Sequence, residues 1–211
     1  MWFKEEIAII GKNIPVLLIA TNNDGKLREI EKIINLPQVK LISLYDVTDP
    51  PPVTEDGQTY EDNALKKART HYHHTDIATL ADDSGLEIDY LQGNPGVHSA
   101  RYMGTDTSYD IKCKRIVEMM QNATPEMRGA RFRCIAALVD CSGTFTVEGV
   151  CEGTISKEPK GAGGFGYDPI FIPNGFTETF AELPSEVKNK ISHRSIAMRK
   201  MRDIILEQKI F

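Results

Sequence analysis

Much that would name an activity at sight is missing from these 211 residues. The four cysteines, Cys113, Cys134, Cys141 and Cys151, form no C-x-x-C pair, which speaks against a zinc site. They read as reduced thiols of a cytoplasmic protein rather than as a disulfide framework. Basic charge is not in excess: 25 Lys+Arg against 30 Asp+Glu give a formal net charge of −5. A long nucleic acid would find no broad electropositive surface, although a small anion needs only local charge. No apolar run reaches bilayer length; Ile14 to Ala20 is far too short. Its upstream flank carries Glu5 and Glu6 beside Lys4, and no small-residue cleavage site follows, unlike a signal peptide. No membrane partner is therefore expected. No Gly-Lys-Ser/Thr follows the glycine-rich stretch, so it is not a Walker A loop. No serine or cysteine stands in a recognisable nucleophile–base motif. Repeats, low-complexity tracts and clear linkers are absent.

What is present is 41% hydrophobic and 26% charged, enough for one α/β domain over residues 1–211, in two lobes around a cleft. The first fifteen residues form an N-terminal extension whose Trp2, Phe3, Ile7 and Ile10 can pack on the fold. Val16 to Ala20 reads as a buried strand, followed by a helix that Asp24 can cap, with Leu27, Ile30, Ile33 and Ile34 on one face. Val39 to Leu44 is a second strand. Asp49-Pro50-Pro51-Pro52 opens a loop that runs to Gly57. Thr59-x-x-Asp62 resembles a capping box, opening a helix with Tyr60, Ala64, Leu65 and Ala68 inward. Ile77 to Ala81 reads as a short strand ending at Asp82, and Leu86 to Leu91 as another. A helix from Asp106 to Gln121 carries Ile111, Ile116, Val117 and Met120. Arg131 to Glu152 suits two antiparallel strands turning at Ser142-Gly143. Ser192 starts a last helix with Ala197, Met201, Ile204 and Ile205 inward. Strands and helices so mixed argue α/β with a mixed sheet.

Five constellations carry chemistry, each beside a plainer reading. Thr21-Asn22-Asn23-Asp24-Gly25-Lys26, between strand and helix, can point backbone N–H groups at a phosphate; it can equally be a cap with a solvated lysine. Asn63 and Lys67 share one helix face, either a solvated polar face or the wall of a site. Asp82-Asp83-Ser84-Gly85 sets two carboxylates after an apolar strand. A hard divalent cation is their natural partner, with Glu55 as a further oxygen ligand; the plainer reading is a turn with an acidic cap. In Gly161 to Pro169, glycines let backbone approach a ligand. Phe165 there is either a base-stacking ring or a wedged aromatic in a tight turn. Lys188 with Ser192-His193-Arg194 offers donors to a 6-keto purine edge, or is simply an exposed capped helix. His71, His73 and His74 read as a surface helix end.

In order along the chain, these motifs resemble the inosine triphosphate pyrophosphatase family. The resemblance rests on Thr21-x-Asn23-x-x-Lys26-x-x-Glu29, Glu55, Glu61-x-Asn63-x-x-x-Lys67-Ala68 and Ala81-Asp82-Asp83-Ser84-Gly85-Leu86. It continues through Pro95-Gly96-x-x-Ser99-Ala100-Arg101-Tyr102, Gly163 to Pro169, and Ser192-His193-Arg194. It implies a long curved mixed sheet with flanking helices, a homodimer, and Mg²⁺-dependent hydrolysis of ITP, dITP and XTP to monophosphate and pyrophosphate. It assigns Glu55 and Asp82 to the metal and Asp83 to the base that activates water. Asn23, Lys26 and Lys67 would hold phosphates, with Lys67 counted as catalytic beside Asp83. Thr21, Asn63, Ser84, Gly166, Tyr167 and Asp168 would complete the substrate contacts. Phe165 would stack on the base, and Lys188, His193 and Arg194 would read its edge. Two other readings keep part of the pattern: a nucleotide-binding sensor without turnover, and a related pyrophosphatase that prefers pyrimidines.

Overall fold

The structure, a computed structural model, describes residues 14–211. The expectations for Trp2, Phe3, Ile7 and Ile10, and most of the proposed extension, lie outside the described residues. The elements run β1 (Val16–Ile19), α1 (Asp24–Ile34), β2 (Lys40–Ser43), α2 (Tyr60–Thr75), β3 (Thr79–Ile88) and α3 (Tyr109–Met119). Then follow β4 (Gly129–Asp140), β5 (Gly143–Ile155), β6 (Phe171–Pro173), α4 (Ser185–Ile191) and α5 (His193–Glu207). The strands form one sheet in the order β2-β1-β3-β4-β5-β6. β1 lies parallel to β2, with Val16 opposite Lys40, and parallel to β3, with Leu18 opposite Thr79. β5 and β6 are antiparallel. The sheet is therefore mixed, as the sequence implies. Gly153 faces Pro173 across β5 and β6, and a Cβ there would run into the Ile172 carbonyl.

The chain divides into two compact units. The first comprises the described part of Met1–Asp83 with Ile135–Val147 and Ala197–Phe211. Its core sets Leu18, Ala20, Leu44, Ala64, Ala68, Ala81, Ala137 and Val139 together. The alanines of α2 and of the strands remove bulk where they meet, so helix and sheet pack closely. β1 is buried through Leu17, Leu18 and Ile19, as a parallel strand covered on both faces requires.

α2 starts where its capping box predicts. Asp62 N donates to Thr59 Oγ1 at 3.1 Å, and Thr59 N donates to Asp62 Oδ2 at 3.2 Å. Both are helix-end donors that otherwise lack intrahelical partners. Thr59→Ala is expected to cost about 1 kcal/mol. Differential scanning calorimetry should show the melting temperature falling by roughly 2–4 °C.

The second unit comprises Ser84–Cys134 and Glu148–Ile196. Its core joins Leu86, Ile88, Cys113, Ile116, Met120, Phe132, Phe171 and Phe180. The rings of Phe132 and Phe171 lie 4.7 Å apart. A charge the sequence does not flag, Arg128, is buried here. Its guanidinium donates to the carbonyls of Met120, Ile155 and Ser156, at 3.0, 2.7 and 2.6 Å. Those three bonds give it a structural role.

Several boundaries differ from the sequence reading. The cap of α1 is Asn23, not Asp24: Asn23 Oδ1 accepts from Lys26 N at 3.0 Å. α3 starts at Tyr109 under a Ser108 cap rather than at Asp106, and Ile111 on it is 58% exposed. His71 is buried, not a surface residue. The largest difference is β3. The acid pair does not follow a strand that ends; it sits inside a ten-residue strand that absorbs both expected pieces as far as Ile88. Asp82 and Asp83 are buried there, at 1% and 5% exposure.

Candidate active site

Two buried carboxylates side by side in a strand need compensation, and the first unit supplies it. Successive strand residues point to opposite faces, so the two acids meet different partners. Asp82 Oδ2 lies 3.1 Å from Lys26 Nζ, delivered by the first turn of α1. Asp83 Oδ2 accepts from Asn63 Nδ2 at 2.9 Å. Asn63 is fixed in turn, because its Oδ1 accepts from Gly57 N at 2.8 Å. Lys67, one turn along α2 from Asn63, donates to the Asp82 carbonyl at 2.6 Å and to Glu55 Oε1.

Asn63 and Lys67 are therefore buried, and the solvated-face reading of that helix side does not hold. Its polarity is turned inward, onto the acids. Burial pushes the Asp83 carboxyl above the ordinary aspartate range, and Glu55 adds to this; Lys67, Lys26 and the Asn63 hydrogen bond pull against it. The net result is a carboxylate with raised basicity in a lysine-rich surround. Thr21 lies just beyond the end of β1, its Oγ1 accepting from Asn23 N at 3.2 Å.

The second unit gathers the remaining residues. Lys188 Nζ lies 4.5 Å from the centre of the Phe165 ring, and the Arg194 guanidinium carbon 5.5 Å from it. Lys188 also donates to Asp168 Oδ2 at 2.5 Å, and that oxygen accepts from Phe165 N at 2.8 Å. Asp168 thus folds the glycine loop back on itself. Gly164 has φ +69°, and a Cβ on it would strike the Asp168 carboxylate.

Phe165 itself is only half-buried and is not part of the hydrophobic core. Arg194, 2% exposed, donates from Nη2 to Ser84 Oγ at 2.8 Å. The His193 ring stacks on Phe132, 4.6 Å between centroids at an interplanar angle of 11°. Ser192 closes α4 and caps α5: its N donates to Lys188 O at 2.9 Å, and its Oγ accepts from Ser195 N at 3.2 Å. On either side of that short corner Lys188 and Arg194 face the Phe165 ring, whereas His193 lies on Phe132. Gly166 takes φ +67° beside Tyr109. Tyr167 is buried at 3% exposure, with its hydroxyl donated to Ser99 O at 2.9 Å.

The described residues contain no group of three His, Cys, Asp or Glu side chains able to hold a metal. Glu55 and Asp82 are the two carboxylates Lys67 and Lys26 now contact. Two carboxylates are few for a metal, so a hard cation held by them would need waters and ligands from outside the chain to fill its shell.

Solved structures share this architecture over nearly the whole chain. A Ham1 protein of Staphylococcus aureus superposes with a TM-score of 0.82 at 32% identity, covering 92% of this chain and 99% of that one. A HAM1 protein from Coxiella burnetii gives 0.83 at 35% identity, with the same coverage. Among sequence relatives, the dITP/XTP pyrophosphatase of Bacillus licheniformis is 44% identical over 88% of this chain and 95% of its own length. That of Geobacter sulfurreducens is 45% identical over 89% and 94%. The model of the Ham1 family matches residues 17–204, and the chain belongs to that family. This bears out the resemblance read from the motifs.

Proposed function

We propose that this chain hydrolyses non-standard purine nucleoside triphosphates (ITP, dITP and XTP) to the monophosphate and pyrophosphate, with Mg²⁺. The observation that carries the reading is Asp83: a buried carboxylate, raised in basicity, held by Asn63 beside two lysines. Phosphoryl chemistry by water needs a base and charge neutralisation, and no covalent nucleophile. The relatives named dITP/XTP pyrophosphatase support the same reaction.

Asp83 takes the proton of the attacking water. Lys26 and Lys67 leave their present carboxylate contacts to meet phosphate oxygens, and the N-terminus of α1 adds its backbone donors. Glu55 and Asp82 would hold Mg²⁺, which would withdraw charge from the phosphates. The base stacks on Phe165. Lys188, His193 and Arg194 present donors that a 6-keto edge satisfies and a 6-amino edge does not. Thr21, just beyond β1, and Ser84, within β3, complete the substrate contacts of this reading. Four free cysteines suit a reducing cytoplasm. The homodimer is carried by the family resemblance, and light scattering checks it.

The deciding experiment is pyrophosphate release from ITP, dITP, XTP, GTP, ATP and dUTP, with and without Mg²⁺. Preference for the first three is expected; equal rates on dUTP, or nucleotide binding without release, would overturn the reading. For the base contact, Phe165→Ala should raise KM for ITP roughly five- to a hundredfold, because stacking on a base contributes about 1–3 kcal/mol. A kcat that stays within a few-fold of wild type would complete the signature. An unchanged KM would remove Phe165 from the site.

A further inference from the structure

The glycine-rich loop has little stiffness of its own: Gly161, Gly164 and Gly166 all take positive φ. Whatever fixes Phe165 must come from outside the loop. One pin belongs to the loop's own neighbourhood, through Asp168. Another leads away from it. Tyr167 donates its hydroxyl to the Ser99 carbonyl at 2.9 Å. Ser99 Oγ accepts from Leu86 N at 2.9 Å and donates to Gly96 O at 2.6 Å. Two residues back along β3, Ser84 Oγ accepts from Arg194. Arg194 faces the Phe165 ring again.

Four contacts, joined by two short stretches of chain, thus close a ring, Phe165–Tyr167–Ser99–Leu86–Ser84–Arg194–Phe165, every member of it in the second unit. Ser99 and Tyr167 are 5% and 3% exposed. The edge of Tyr109 packs against Tyr167 at 5.1 Å, and Cys113 Sγ reaches toward Gly166 O at 3.7 Å. Lys112, buried beneath, donates to the carbonyl of Ala100, the next residue, at 2.7 Å. A buried ammonium held by a carbonyl and the Tyr109 ring is costly. That bond ties the Ala100 carbonyl to α3.

We propose that Tyr167 is a positioning residue: through Ser99 it sets the spacing between the Phe165 ring and the Arg194 guanidinium, and so the base the site accepts. This rests on the nucleotide reading above. The Tyr167 side chain acts from behind the loop, buried at 3% exposure. Removing its hydroxyl lets the glycines relax, loosening base binding without altering the groups that act on phosphate.

The test is Tyr167→Phe, which keeps the ring and its contact with Tyr109, assayed by pyrophosphate release. KM for ITP should rise about tenfold while kcat stays within twofold, and the ITP-to-ATP ratio of kcat/KM should narrow. In a Phe165→Ala background the same change should add almost nothing, because the ring it positions is gone. A merely structural hydroxyl would lower the melting temperature with KM unchanged, and that result overturns the proposal. So does a KM effect that persists undiminished without Phe165. If Tyr167→Phe does not fold, Lys112→Met gives the same reading, because it releases the other carbonyl of the turn. A wild-type protein that releases no pyrophosphate from any triphosphate sinks the functional reading itself; an active wild type with an insensitive KM sinks only the positioning role.

Discussion

Asp83→Asn is expected to lower kcat/KM for ITP by about 10²- to 10⁴-fold, the usual size of a general base, and to leave the fold intact. Shape and hydrogen bonding barely change: the new amide oxygen can still accept from Asn63 Nδ2, which now donates to Asp83 Oδ2 at 2.9 Å. What disappears is the ability to take a proton. Stability should move the other way. Burial is the largest influence on the Asp83 carboxyl and raises its pKa, so the folded protein binds this proton more tightly than the unfolded chain. The stabilisation from that proton is present below the ordinary aspartate value and is lost as pH rises through the raised folded value. At neutral pH the ionised carboxylate is therefore a burden on the fold. Without added divalent cation, Asp83→Asn should melt at the same temperature as wild type or higher at pH 7, and lose that advantage toward pH 4. The acidic limb of the wild-type kcat/KM profile should be missing in whatever activity remains. Turnover near wild type at saturating Mg²⁺ would sink the base assignment. A sharp fall in melting temperature would make Asp83 a structural group instead.

The sequence carried the outline well wherever the signal was local. The Thr59 box, the β4–β5 hairpin turning after Asp140 and the Ser192 corner all depend on residues within a few positions of each other, and all stand where the pattern puts them. It failed where compensation came from far along the chain. Asp, Ser and Gly are poor strand residues, so Asp82-Asp83-Ser84-Gly85 read as an end. The strand continues because Lys26, Asn63 and Lys67, drawn from two helices, meet the acids. The same contacts explain why the polar side of α2 was read as solvated. Asp168, a substrate contact in the sequence reading, also accepts from Phe165 N within the loop and from Lys188. Nothing in sequence spacing separates a residue that touches a ligand from one that shapes the loop. The buried charges Lys112 and Arg128 gave no signal at all, since each is satisfied by backbone carbonyls that carry no residue identity.

Lys67→Met should be nearly as damaging as loss of the base, and it separates two roles that the present contacts combine. Lys67 is buried, with its ammonium shared between the Asp82 carbonyl and the Glu55 carboxylate. If it meets phosphate during turnover, its removal takes away a preorganised positive charge, and kcat/KM should fall by about 10²- to 10³-fold. Arginine is not a substitute: its planar fork cannot fill the compact position between a carbonyl and a carboxylate, so Lys67→Arg should remain at least about tenfold impaired. The effect on metal has the opposite sign. In the structure Lys67 occupies Glu55, the carboxylate proposed to hold Mg²⁺, so the lysine competes with the cation. Methionine removes the competitor, and the Mg²⁺ concentration for half-maximal activity should stay level or fall while the maximum rate collapses. Stability should fall as well, by about 1–3 kcal/mol, because methionine takes a donor from the buried Asp82 carbonyl and a positive charge from beside Asp83. A lysine that merely built the metal site would show the reverse pattern, with a raised Mg²⁺ requirement and a maximum rate restored by excess metal. Titrating Mg²⁺ into the wild-type and methionine proteins at saturating ITP therefore distinguishes a phosphate-binding charge from a scaffold for the carboxylates.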